Sequence, residues 1–216
     1  AVDLEIAAGS GILDGGSFSE DGLVYTATFT PFAGIEIDGQ TIGLSANWTG
    51  VSGNVPLAGG ISQLFNIDTI APSAFLTLSE TQLVADQKMI LSVSFSESPQ
   101  GFDPEVDIEL PTGSGILDGG SFSEDGLIYT ATFIPSAGIE LEDQAIGLSA
   151  NWSDVSGNAS LEGVISESFN IDTKSLSAFL TLSETKLVVG QTMTLSVNFS
   201  EIPQGFDPEI DIEIPA

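Results

Sequence analysis

The sequence predicts an all-β protein built from tandem antiparallel β-sandwiches, about seven strands to a unit. Three observations carry that prediction. The chain repeats itself: residues 9–23 read GSGILDGGSFSEDGL and residues 113–127 read the same, an offset of 113 − 9 = 104. Within a repeat, apolar side chains recur at every second position, the period of a half-buried antiparallel strand. Turn signals rich in Gly, Asn, Asp and Pro separate the alternating runs.

The repeat between residues 72 and 171 gives the elements in order. The first strand, near 72–78, lies in the segment 73–80 that recurs at 177–184. The second, near 88–96, alternates Met89, Leu91, Val93 and Phe95 with Ile90, Ser92, Ser94 and Ser96. Pro-Gln-Gly at 99–101 turns the chain into a third strand near 105–110, where Val106, Ile108 and Leu110 alternate with Asp107 and Glu109. That pattern places Asp107 and Glu109 on a solvent face. A fourth strand near 115–122 and a fifth near 127–134 flank Glu-Asp-Gly at 124–126, and Leu127, Tyr129, Ala131 and Phe133 form one face of the fifth. The sixth, near 145–152, carries Ile146, Leu148, Ala150 and Trp152 inward; Ser-Gly-Asn at 156–158 then leads to a seventh near 166–171. No stretch shows helical spacing. Seven short strands in about 100 residues is the size of an Ig-type sandwich.

The period sets the organisation. Two copies of 104 make 208, and the last eight of the 216 residues are a third copy of a segment present at 1–8 and 105–112. A period this long means units that each hold a core. With units starting at Asp68 and Asp172, residues 1–67 are the C-terminal part of one repeat, 68–171 a complete repeat and 172–216 the N-terminal part of a third. In the alternative, the folding unit is offset, with a junction near 105–112. Incomplete sandwiches expose edges, so head-to-tail association between chains is a further expectation. The opening residues lack a charged n-region and an apolar h-region, and read as the interior of a longer protein.

Composition removes whole classes of function. There are 31 Asp and Glu against three Lys (Lys88, Lys174, Lys186), no Arg, no His and no Cys, giving a formal charge of −28. No basic patch exists to neutralise phosphates, so nucleic acid is excluded as a partner. No imidazole or thiol exists for a proton shuttle, a nucleophile or a zinc site. No apolar run reaches the ~18 residues of a membrane span. The 42% hydrophobic content separates the chain from disordered acidic tails. Carboxylate oxygen remains in quantity, and it is the ligand that calcium prefers.

Several segments carry a family resemblance. Asn66-Ile67-Asp68-Thr69-Ile70-Ala71-Pro72 resembles the linker and first strand of bacterial Ig-like repeats. Val93-Ser94-Phe95-Ser96-Glu97 with Gly101-Phe102-Asp103 resembles their second strand and following loop. Tyr129-Thr130-Ala131-Thr132-Phe133 resembles their fifth strand, and Trp152-Ser153-Asp154-Val155-Ser156-Gly157-Asn158 their Asp-x-x-Gly-Asn loop. Together these resemble the tandem extender domains of large secreted bacterial surface adhesins of the RTX type. The resemblance implies extracellular β-sandwich spacers that bind calcium and hold a distal ligand-binding domain away from the cell.

In an Ig-type sandwich the chain entering the first strand lies beside the loops after the second and sixth strands. The resulting expectation is a calcium site near Asp68 with Glu97, Asp103, Asp154 and Asn158, and its repeat equivalents Asp172, Glu201 and Asp207. Glu36 and Asp38, placed just before the sixth strand of the preceding copy, face the same junction. Most other acids are expected to be solvated surface. Asp118, Glu124 and Asp125 sit around a hairpin where such residues make ordinary turns. Asn54 and Asn158 have a turn-capping alternative. Gly50 stands where Asp154 stands in the next copy, which weakens the corresponding site there. Trp48 and Trp152 are expected in cores rather than as sugar platforms. Catalysis is not expected, because Ser and Thr have no base beside them and paired carboxylates have no cleft. The competing readings are a ligand- or glycan-binding Ig-like module of an adhesin, or an accessory module of a secreted polysaccharide-degrading enzyme.

Overall fold

The computed structural model describes residues 4–214. The chain opens with β1 (Leu4–Glu5), β2 (Gly11–Phe18), β3 (Tyr25–Pro31), β4 (Glu36–Gln40), β5 (Gly43–Leu44), β6 (Gly60–Ile61) and β7 (Phe65–Asp68). It continues with β8 (Ala74–Leu78), β9 (Gln82–Val84), β10 (Met89–Phe95), a one-turn helix α1 (Pro104–Asp107) and β11 (Ile108–Glu109). Then come β12 (Gly115–Phe122), β13 (Ile128–Pro135), β14 (Glu140–Gln144), β15 (Gly147–Leu148), β16 (Val164–Ile165) and β17 (Phe169–Asp172). The last stretch holds β18 (Ala178–Leu182), β19 (Leu195–Phe199) and a second one-turn helix, α2 (Pro208–Asp211).

The elements from β8 to β17 make a two-layer Ig-like sandwich. One layer is a four-stranded sheet in the order β12-β13-β10-β8. The other is formed by β14-β17-β9 and β11-β15-β16. The alternating residues meet between the layers: Met89, Leu91, Val93, Phe95, Tyr129, Ala131 and Phe133 from the first pack with Ile108, Ile146, Leu148, Phe169 and Ile171 from the second. Phe133 meets Phe169 edge-on at 5.6 Å, and Phe95 meets Trp152 at 5.0 Å. The buried core cluster draws all its members from 76–171. The segment 105–112 shows no break in packing: Ile108 belongs to the core and β11 pairs with β15.

Four sequence expectations change. The short strand β9 adds to the expected seven; it runs parallel to β17 and buries only Leu83, too few residues for alternation to show. The expected strand at 105–110 shrinks to β11, because Asp103-Pro104 starts a helical turn instead. The turn rotates the side chains, so Val106 is 65% exposed and Asp107 only 2%. The sixth strand starts earlier, at Glu140, and is interrupted before β15; a register shift between Leu141 and Gln144 marks a bulge, with Asp143 at φ 53°. Glu36 and Asp38 therefore lie inside the equivalent strand β4, not before it.

The fourth change concerns the tryptophans. Trp152 is 3% exposed, as a core residue should be, but Trp48 is 44% exposed. In the complete sandwich β10 pairs with β13 and β8 with β10, and Phe95 packs on Trp152. Described residues 4–67 contain no counterpart of β8 or β10, so β3 pairs with β2 alone and Tyr25 and Trp48 stay open to solvent.

Candidate metal centre

The junction between β7 and the sandwich that follows gathers carboxylates from three segments. Asp68 closes β7, opposite Glu36 of β4. Glu97 follows β10, and Asp154 lies in the loop between β15 and β16. One carboxylate oxygen from each of Asp68, Glu97 and Asp154 lies within 4.8 Å of the other two. Asn158 ties the set together: its Nδ2 donates to Asp154 Oδ2 (2.8 Å) and to the Asp68 carbonyl (3.3 Å). Its backbone N donates to Asp154 Oδ1 (2.9 Å).

Each side chain is fixed by local geometry. Asp68 Oδ1 accepts from Ile70 N (3.1 Å), an Asx turn that starts the linker. Asp154 is 1% exposed. The loop itself does not require a carboxylate there. With glycine at position 50 the same turn closes through Gly50 N to Asn54 O (2.9 Å) and Gly53 N to Gly50 O (2.9 Å). Asp154 N to Asn158 O (3.0 Å) and Gly157 N to Asp154 O (3.3 Å) repeat that pattern. The backbone turn thus forms with either residue, and the acid at 154 adds a carboxylate held by Asn158 N and Nδ2 at the junction.

The electrostatics fit a cation site. Burial, followed by the charges of Asp154, Asp68 and Glu36, raises the Glu97 carboxyl above its ordinary range. Burial also opposes ionisation of Asp154, but hydrogen bonds from Asn158, Gly157 and Ser156 outweigh it and hold that carboxyl below its ordinary value. Asp154, held in its charged form by its hydrogen bonds, thus sits beside a Glu97 whose ionisation is opposed first by burial and then by neighbouring carboxylates. The hard-oxygen set is three carboxylates and the Asp68 carbonyl; Asn158 turns its Nδ2 toward Asp154 and Asp68 and acts as the hydrogen-bonding brace. Calcium takes ~6–8 such ligands, including water.

Other expected ligands stand elsewhere. Asp103 is the N-cap of α1; its Oδ1 accepts from Glu105 N (3.0 Å), so it serves the helical turn rather than the cluster. Asp207 does the same for α2, accepting from Glu209 N (2.9 Å). Asp172 forms the same Asx turn as Asp68, accepting from Lys174 N (3.1 Å). Asp125 is engaged in its hairpin by Ser123 Oγ (2.6 Å) and Leu127 N (3.1 Å), which is turn chemistry.

Two residues escaped sequence reasoning. Asp107 is a buried latch: Asp103 N donates to its Oδ2 (2.8 Å) and Ser149 Oγ to its Oδ1 (2.5 Å). The Asp-Pro start of a helical turn was the available signal. Lys174 donates to Glu140 Oε2 at 2.7 Å. That hydrogen bond first, then the charges of Glu140, Asp172 and Glu201, raises its pKa.

Among the described residues no helix is long and apolar enough to cross a membrane. A family model described as a bacterial Ig-like domain matches residues 68–171, which supports such a domain over that span. No curated protein and no solved structure gives a match.

Proposed function

We propose that residues 68–171 are one unit in a row of extracellular bacterial Ig-like domains, acting as a structural spacer of a cell-surface adhesin. In this reading Asp68, Glu97 and Asp154, with the Asp68 carbonyl, hold a calcium ion that fixes one unit against the next, and Asn158 braces Asp154 and Asp68. The supporting observation is the convergence of carboxylates across the junction: Asp68 ends the last strand of one repeat, while Glu97 and Asp154 come from loops of the following sandwich. A cation there offsets the carboxylate repulsion that adds to burial in raising Glu97, and couples the two repeats through shared ligands. The near-identity of 9–69 and 113–173, about three-quarters of their residues, supports units doing one repeated mechanical job. Asp172 and Glu201 belong to the corresponding junction with the next repeat.

Extracellular calcium sites bind at ~10⁻⁴–10⁻³ M. At about 10 mM calcium such a site adds about 1.4–2.7 kcal/mol to the folded state. Thermal unfolding with calcium and with chelator is expected to differ by at least about 5 °C. Small-angle scattering is expected to show a narrower spread of inter-repeat angles with calcium. Asp68→Ala is expected to abolish the scattering response while leaving the chelator melting temperature within about 2 °C of wild type. Superimposable curves with and without calcium would refute the clamp.

A further inference from the structure

The two junctions differ at one position that faces the acids. Asp68 and Asp172 make identical Asx turns, each accepting a backbone N–H two residues on at 3.1 Å. The residue that donates is Ile70 at the first junction and Lys174 at the second. The side chains at 70 and 174 therefore leave equivalent backbone positions. At the second junction the ammonium reaches Glu140 Oε2 at 2.7 Å, across a turn whose other acids are Asp172 and Glu201. Glu140 is the repeat equivalent of Glu36, Asp172 of Asp68 and Glu201 of Glu97 (each offset 104). Three of the four carboxylates of the first junction thus have counterparts around a lysine at the second. The other two lysines stand away from the junctions: Lys88, just ahead of β10, corresponds to Thr192, and Lys186, ahead of β19, corresponds to Gln82. Of the three, only Lys174 adds positive charge at a junction.

We infer that Lys174 is a built-in counter-ion: its ammonium does at the second junction what a bound cation does at the first, so consecutive junctions differ in calcium dependence. The inference rests in part on the calcium reading above, but its electrostatic half stands without it. A tethered ammonium neutralises the shared acids at every calcium concentration. An isoleucine leaves them to an ion from solution. A row that mixes both kinds of junction stiffens only at the isoleucine joints when calcium rises.

The test transplants the charge in the full 216-residue chain. Ile70→Lys is compared with Ile70→Met, which matches length without charge; Ile70 is already 39% exposed, so either side chain has room. Calcium titration calorimetry and melting in chelator are both read. The expected result has two parts. Ile70→Lys weakens calcium binding at least tenfold, and it raises the chelator melting temperature by ~1–5 °C in low salt, a gain that salt screens. Ile70→Met does neither. If wild type binds calcium and Ile70→Lys binds it equally well, the inference is overturned while the clamp survives. If wild type shows no calcium binding but Ile70→Lys still gains salt-screened stability, the clamp fails and the counter-ion role stands. If Ile70→Lys brings no stability gain in chelator, the inference is overturned whatever calcium does.

Discussion

At residue scale the junction acids carry opposite signs of pH dependence. Glu97 is raised by burial and by neighbouring carboxylates, so the folded state keeps a proton that the unfolded chain releases. Its contribution to stability is full below the ordinary glutamate value and falls as pH rises through the raised one. Asp154 is lowered by its hydrogen bonds; its contribution is full above the ordinary aspartate value and is lost as pH falls through the lowered one. Calcium-free protein is therefore expected to gain stability on acidification from neutral pH into the Glu97 window, then lose it below the aspartate range. Glu97→Gln should remove the first limb only, read as melting temperature against pH in chelator. A wild-type profile flat across the Glu97 window would contradict this account. Protonation of Glu97 also competes with a cation, so calcium affinity should fall over the same window.

At element scale the clearest lesson is α1. Alternation of Val106, Ile108 and Leu110 predicted a strand, and the Asp103-Pro104 start overrode it. The residue that then turns inward, Asp107, becomes the hinge pin between the loop after β10 and the loop after β15. Asp107→Ala strands two donors, Asp103 N and Ser149 Oγ, and is expected to cost roughly 3 kcal/mol, measured by urea unfolding. The hairpin of β12 and β13 depends on its bulge between Asp118 and Ser121. Gly119 there has φ 59°, and a Cβ on Gly120 would collide with the Tyr129 ring. Gly120→Ala is expected to cost about 1–3 kcal/mol by displacing Tyr129 from the core. A stable variant with unchanged tyrosine fluorescence would show that the bulge yields more easily than the geometry implies.

At the scale of the whole molecule, the core resides in one sandwich and the flanking stretches present open faces. Strand β3 leaves Tyr25 exposed and β18 leaves Leu180 and Leu182 exposed. By repeat register β18 and β19 are the counterparts of β8 and β10, which continue the sheet from β13, the counterpart of β3. Sedimentation velocity of the 216-residue chain is expected to show concentration-dependent head-to-tail association, strengthened by salt that screens the −28 charge. A monomer at every concentration and ionic strength would count against complementation of these faces.

Most strands of the complete repeat, the inward faces of β10 and β13 and the approach of Asp68 to Glu97 and Asp154 were legible in the sequence. Strand periodicity is a local property, and the Ig-type order of strands fixes which loops share an end. The sequence by itself determined the repeat, the two-layer class and the absence of imidazole, thiol and guanidinium chemistry. It did not separate Asp68, Glu97 and Asp154, which meet, from Asp103, which does not. Asp103 and Asp107 sit four residues apart with the same side chain, yet one caps a helical turn at the surface and the other is buried against Ser149. Trp48 and Trp152 occupy equivalent positions, yet only one is covered. Burial and charge proximity are set by what other segments bring alongside, a non-local property that only the tertiary structure decides.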